Sequence, residues 1–346
     1  MGLRRPFPVL AGTSAGAINA AFLATRADDM LAGARELWRL WATVRASDVY
    51  RTDPITLSRV GARWISELSL GGAWRTDGSN GLLDTRPLRR LLERELRLER
   101  LPELIERQAL HGLAITLVDY CCGASRTFFQ GHPGLRSWQK DRRGGQETDL
   151  DVDHVRASAA IPILFPPVPL GDHYYGDGSL RNYTPISSAT HLGAQRVLVV
   201  GVRRAVPVPV KETSATPSVG RIVSSILNSV LLDAVDLDVE RAERINRTLD
   251  LLPAEARGDE GAFKHLRVLL LRPSQNLGRI AAEEWSSLPF MIRYLVRGLG
   301  SPEEAADLIS YLHFEPAYTR RLLDLGYADT RARAGEVKDF FRASAD

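Results

Sequence analysis

An apolar run from Phe7 to Ala11 stops at Gly12-Thr13-Ser14-Ala15-Gly16, and small helix-forming residues follow at once. That order predicts a strand, a sharp turn and a helix. From Ala27 to Ala46, Met30, Leu31, Ala34, Leu37, Trp38 and Trp41 recur at helical spacing and predict an amphipathic helix facing the core. Residues 51–80 mix apolar and polar positions and end in a turn-rich stretch, Trp74-Arg75-Thr76-Asp77-Gly78-Ser79-Asn80-Gly81. A further helix is predicted to open at Asp84 or Thr85. Pro87 falls in its first turn, and Leu88, Leu91, Leu92 and Leu96 lie along one side.

Leu113 to Tyr120 predicts a buried strand, with Arg126 to Gln130 beside it as a hairpin. Lys140 to Asp149, polar and carrying Gly144 and Gly145, reads as a surface excursion. His154 to Ala160 reads as a short helix stopped by Pro162. Gly193 to Gly201 predicts another buried strand, and Pro207 to Pro217 a linker or flap. A long helix is predicted over Val219–Leu249, a late strand over His265–Arg272, and mainly helix from Ile280 on. On the long helix, Ile222, Ile226, Leu227, Val230, Leu231 and Ala234 form an apolar stripe. Core packing is the preferred reading of that stripe, and contact with a fatty-acyl chain or membrane is the other. Strands alternating with helices imply an α/β fold with a mainly parallel central sheet flanked by helices. No repeat or boundary divides the chain, which predicts a single domain over 1–346: candidate chemistry in 1–190, further strands and C-terminal helices in 191–346.

Apolar content of 44% and charged content of 25% are those of an ordinary globular protein. A net charge of +3 is too small to argue for nucleic acid. Lysine occurs only at 140, 211, 264 and 338, so nearly all the cations are arginine, which would suit anionic lipid head groups. Cys121 and Cys122 are adjacent. Neighbours on a strand point to opposite faces, so the pair reads as neither a disulfide nor a metal site and suggests a reducing compartment. The N-terminus has no apolar signal region, and no stretch reaches the length of a membrane span. The expected location is the cytoplasm, at most peripheral to a membrane.

The serine turn carries the first candidate chemistry. The segment is the only Gly-x-Ser-x-Gly in the chain, and its strand–turn–helix setting would push the Ser14 hydroxyl out of the backbone. Gly12 and Gly16 would keep crowded flanks clear, and the helix start, with the Ala15 N–H as a possible donor, suits an oxyanion. A serine hydroxyl needs a base. The seven histidines lie in turns or at element ends with no distinctive surroundings. A better partner is Asp177, which follows Tyr174-Tyr175 and sits between Gly176 and Gly178 in a tight loop. Asp77-Gly78 is a second Asp-Gly, without the aromatic lead-in. Upstream of Asp177, Val155 to Val168 is a small-residue helix end followed by a proline-stiffened apolar segment.

The Gly12–Gly16 turn, the run Ala157-Ser158-Ala159-Ala160-Ile161-Pro162-Ile163-Leu164-Phe165-Pro166-Pro167 and the Asp177-Gly178 turn, in this order, resemble patatin-like phospholipases of the bacterial type. The resemblance extends over most of the chain and implies a three-layer fold. It also implies a Ser14–Asp177 dyad, with Ser14 as nucleophile, Asp177 as base and an acyl-enzyme from the fatty-acyl esters of lipids. The expected partner is a lipid substrate or membrane surface; no cofactor and no metal is expected, and the oligomeric state stays open. The family carries a Gly-rich oxyanion loop upstream of the serine turn, and Met1 to Ala11 contains none. The first strand, that loop and the first helix are therefore expected to be missing, through a fragment or a late start. Ser179 departs mildly from the small residue usual after Asp-Gly.

Two alternatives stand beside this reading. One is an inactive lipid-binding relative, since the oxyanion loop is absent. The other is an α/β-hydrolase esterase with a Ser-Asp-His triad, whose base would be His191, His265 or His313.

Overall fold

The computed structural model describes residues 6–51, 53, 81–204, 216–231, 234–251 and 265–342. Asp77-Gly78, the rest of the 54–80 stretch and most of the Pro207–Pro217 linker lie outside them.

The apolar run before the serine forms β1 (Val9–Thr13), and α1 (Ala15–Ala24) leaves it immediately. β1 runs parallel to β2 (Gly112–Asp119), with Val9 opposite Gly112 and Thr13 opposite Thr116. β3 (Ala124–Gly131) returns antiparallel along the whole of the other edge of β2. Beyond it lie β5 (Arg143–Glu147), parallel to β3, and β4 (Trp138–Lys140), antiparallel to β5. β7 (His173–Asp177) pairs antiparallel with Leu117–Asp119 of β2 and carries β6 (Val168–Leu170) on its far side. β1 and β7 thus share one edge of β2, end to end. β8 (Arg196–Val200) and β9 (Arg267–Leu271) form a separate parallel pair.

The α/β class holds, with a central sheet flanked by helices. The pairing, however, is mixed instead of mainly parallel. Among the described residues, only β1–β2 and β3–β5 are parallel in the larger sheet. The turns between β2 and β3, β4 and β5, and β6 and β7 are a few residues long, too short for the crossover that a parallel pair needs. The β4–β5 hairpin also replaces the surface excursion expected over Lys140–Asp149. A Cβ on Gly145 would strike the Trp138 ring, so the paired glycines serve the pairing of an edge hairpin.

α1 buries Ala17, Ala20, Ala21 and Ala24, which allow close approach, with Ile18 and Phe22 filling the remaining space. The next helix, α2 (Met30–Thr43), starts after a 3₁₀ turn, with Asp29 accepting from the Ala32 N–H at 3.0 Å. Its buried stripe is narrower than predicted. Met30, Gly33 and Ala42 are buried, whereas Leu31 and Trp38 are exposed. The helix over Arg86–Glu95 has Pro87 in its first turn and buries Leu88, Leu91 and Leu92, as expected.

Three further expectations are corrected. β8 is partly exposed along its length, since among the described residues it pairs only with β9, and Val200 is exposed. The predicted long helix is helical over Val219–Leu231 and Ala234–Leu251 among the described residues, but Ile222 and Ile226 of its stripe face solvent instead of a core. Cys121 and Cys122 lie in the turn between β2 and β3, not on a strand. The apolar core runs through α1, β2 and the helices Ala306–Leu312 and Pro316–Ala332 as one cluster. Tyr50 joins these layers by donating its hydroxyl to the Leu312 carbonyl at 2.6 Å.

Among the described residues, no helix is long and apolar enough to cross a membrane.

Candidate active site

The register of β2 brings the two motifs together. Thr13, the last residue of β1, lies opposite Thr116, and Asp177, the last residue of β7, lies opposite Leu117. Two strands that meet end to end on one edge must both turn away. The residues at those turns are Ser14 and Asp177.

Ser14 has φ 56° and ψ −130°, a left-handed conformation that a non-glycine residue rarely adopts. It is held there from outside the motif. Its N–H donates to Ser158 Oγ at 3.0 Å, and the Ser158 hydroxyl donates to the Thr116 carbonyl at 2.7 Å. Ser158 is fully buried at the end of the Val152–Ser158 helix. Asn182 Nδ2 donates to Thr13 Oγ1 at 3.0 Å and ties the chain after Asp177 to the residue before Ser14.

Asp177 is 1% exposed. Its N–H donates to the Ala160 carbonyl at 3.0 Å, so the small-residue segment positions it from behind. Its carboxylate accepts the Ser179 N–H at 2.9 Å, and the Ser14 side chain lies near enough to favour its charged form. Burial pushes its pKa up to about 6, and Ser14 and Ser179 offset part of that rise. Such a carboxyl is ionised at neutral pH and more basic than an ordinary carboxylate.

The flanking glycines divide. A Cβ on Gly12 would run into the Gly16 carbonyl, one on Gly178 into the Thr116 carbonyl, and one on Gly176 into the Tyr120 ring. At Gly16 there is open space, so the expected crowding there is absent. Ala15 and Gly16 are exposed at the start of α1, where backbone N–H groups have no acceptor within the helix. That helix end can receive a developing negative charge beside the Ser14 hydroxyl.

Two tyrosines lie within electrostatic reach of Asp177, with no sequence signal to announce them. The Tyr120 pKa is pushed up to about 12 by burial and by the negative charge of Asp177. Tyr311, from the Ala306–Leu312 helix, has its pKa raised by burial and then by Asp307 and Asp177. Its hydroxyl is buried with no hydrogen-bond partner among the described residues. The helix Val219–Leu231 packs against the Gly178–Leu180 turn, which brings the C-terminal half of the chain to the site.

The histidines considered for a triad are engaged elsewhere. His191 bonds the Ser187 carbonyl at 2.7 Å and stacks on Trp138. His265 faces Asp250 at 3.3 Å. His313 is buried against Ser287 and the Glu284 carbonyl.

A family model described as patatin-like phospholipase matches residues 2–190, more than half of the 346 residues. No curated protein matches the chain.

Proposed function

Because the chain belongs to the patatin-like phospholipase family, whose members are lipid acyl hydrolases, we propose that it hydrolyses fatty-acyl esters of lipids with Ser14 as nucleophile and Asp177 as base. The observation that carries this reading is the buried Asp177 carboxylate beside Ser14, where β7 and β1 meet end to end on β2.

Asp177 takes the Ser14 proton as Oγ attacks the ester carbonyl. The negative charge on the tetrahedral oxygen is met by the first N–H groups of α1, those of Ala15 and Gly16. Protonated Asp177 then gives its proton to the leaving alcohol, and an acyl-Ser14 ester remains. Water attacks that ester, its proton passes to Asp177, and the fatty acid leaves as Ser14 recovers its hydroxyl. No histidine stands between the two groups, so the carboxyl itself must be basic enough, and burial supplies that basicity. The exposed Ile222 and Ile226, on the helix packed against the Gly178–Leu180 turn, offer apolar surface for an acyl chain. Lipid is accordingly the substrate class that the surroundings of the dyad favour.

The test is hydrolysis of p-nitrophenyl butyrate and of mixed phospholipid vesicles by the wild type, Ser14→Ala and Asp177→Asn. Each substitution is expected to lower kcat by at least about 10³-fold with the fold kept. For the wild type, kcat/KM should rise with pH through about 6, as Asp177 loses its proton. Substitution of His191, His265 or His313 by Ala should leave kcat within about threefold. Hydrolysis that survives Ser14→Ala would sink the proposal.

A further inference from the structure

The turn between β2 and β3 and the start of β7 bring His173 against Asp119, Cys121 and Cys122, more than fifty residues upstream. Asp119, the last residue of β2, is 1% exposed, yet its carboxylate has no Arg or Lys partner among the described residues. Its hydrogen bonds come instead from a histidine and two cysteines. His173 Nδ1 lies 2.7 Å from Oδ2, the Cys122 thiol donates to Oδ2 at 3.2 Å, and the Cys121 N–H donates to Oδ1 at 2.8 Å. Burial disfavours the Asp119 charge, but these hydrogen bonds outweigh it and hold the carboxyl below the ordinary carboxylate range. The carboxylate is therefore a buried anion without a fixed countercharge from Arg or Lys, which is a costly arrangement in a protein interior.

One ligand atom each from Asp119, Cys121 and His173 lies within 4.8 Å of the other two. A carboxylate oxygen, an imidazole nitrogen and a thiolate are the three donor types that tetrahedral Zn²⁺ accepts, at about 2.0–2.3 Å each. Donors at those distances stand roughly 3–4 Å apart from one another, so small side-chain rotations would close the site. Cys121 and His173 are both exposed, which leaves a path for the ion and room for a water as fourth ligand.

We propose that Asp119, Cys121 and His173 form a binding site for a thiophilic divalent cation, of which Zn²⁺ is the type. On binding, Cys121 gives up its thiol proton to solvent. The cation takes the place of the proton that His173 and Asp119 share, and neutral His173 keeps one proton on its other ring nitrogen. No electron is transferred. The bound ion ties the β2–β3 turn to the first residue of β7, where the Tyr120 N–H already donates to the Tyr174 carbonyl at 2.9 Å. The site stands apart from the proposed dyad, since β7 runs four further residues, about 13 Å, from His173 to Asp177.

The experiment uses the full chain, reduced and freed of metal with a chelator, and titrates it with Zn²⁺ by calorimetry. Co²⁺ serves as an absorbing probe of thiolate ligation. The expected result is one Zn²⁺ per chain and a thiolate-to-cobalt absorption band. Cys121→Ser should abolish the band, and Cys121→Ser and His173→Gln should each weaken Zn²⁺ binding at least about tenfold. Cys122→Ser should bind within about twofold of the wild type. These three side chains are exposed, so each variant should keep its fold, and thermal melts of the metal-free proteins check that it does. Absence of saturable binding by the wild type would overturn the proposal. So would wild-type affinity in Cys121→Ser and His173→Gln, or an equal loss in Cys122→Ser.

Discussion

A carboxyl held near pKa 6 by burial stores a free-energy cost that the rest of the fold must offset. The sign follows from the direction of the shift. Folded Asp177 binds its proton more tightly than the unfolded chain does, so its favourable contribution is complete below the ordinary carboxylate pKa. That contribution is lost as pH rises through about 6. At pH 8 the ionised carboxylate therefore costs roughly 2–3 kcal/mol relative to a neutral group. Asp177→Asn should recover part of this, so that urea denaturation shows the variant more stable than wild type at pH 8, with the difference shrinking toward pH 4. A variant less stable at pH 8 than at pH 4, each relative to wild type, would contradict the buried-base picture. The sequence made this residue legible, because an aspartate between two glycines in an aromatic-led turn has little other use. Ser158 was legible only as one small residue among several. Its role, to receive the Ser14 N–H and donate to Thr116, depends on a contact between residues 144 positions apart. Tyr311 carries no pattern at all, and its approach to Asp177 is a consequence of tertiary packing.

At the scale of elements, the strand–turn–helix around Ser14 and the β2–β3 hairpin follow from apolar periodicity and small residues, and both form as read. The misread elements are those whose pairing does not need apolar side chains. β4 and β5 carry Gln139, Lys140, Arg143 and two glycines, so backbone hydrogen bonds hold a hairpin that composition presents as a loop. The β6–β7 hairpin is equally short, and without it the sheet looks parallel and Asp119 has no visible link to His173. The glycines of the site give a test at this scale. Gly12→Ala and Gly178→Ala press a methyl group into the backbone carbonyls of Gly16 and Thr116, which cannot yield without moving α1 or β2. Each should destabilise the protein by about 2–3 kcal/mol in chemical denaturation. Gly16→Ala places its methyl in open space in the first turn of α1 and should be neutral to about 1 kcal/mol stabilising. Equal losses at all three positions would mean that the turn is crowded on both sides of Ser14.

At the scale of the molecule, the family match ends at residue 190 but the packing does not. Tyr50 is fully buried between Phe165 and Phe314, with ring centroids 6.3 and 6.2 Å away, and its hydroxyl donates to Leu312. Arg320 Nε donates to the Ala42 carbonyl at 2.9 Å, and Ile280, Ile309 and Tyr318 share one apolar cluster with α1 and β2. The same C-terminal helices bring Tyr311 to Asp177. A chain cut after Arg204 keeps Ser14, Asp177 and every strand of the larger sheet, yet it uncovers Tyr50 and the faces beneath these helices. Burial of one large side chain is worth about 1.5–3 kcal/mol, so exposing several of them exceeds the whole stability of an ordinary domain. The expected result is that the full chain unfolds in one transition, with circular dichroism and tryptophan fluorescence coincident in urea. The 1–204 fragment should show no cooperative transition and should bind a hydrophobic dye. A fragment that unfolds cooperatively by itself would instead make residues 1–204 a separate domain, with the C-terminal helices an addition to a site already complete.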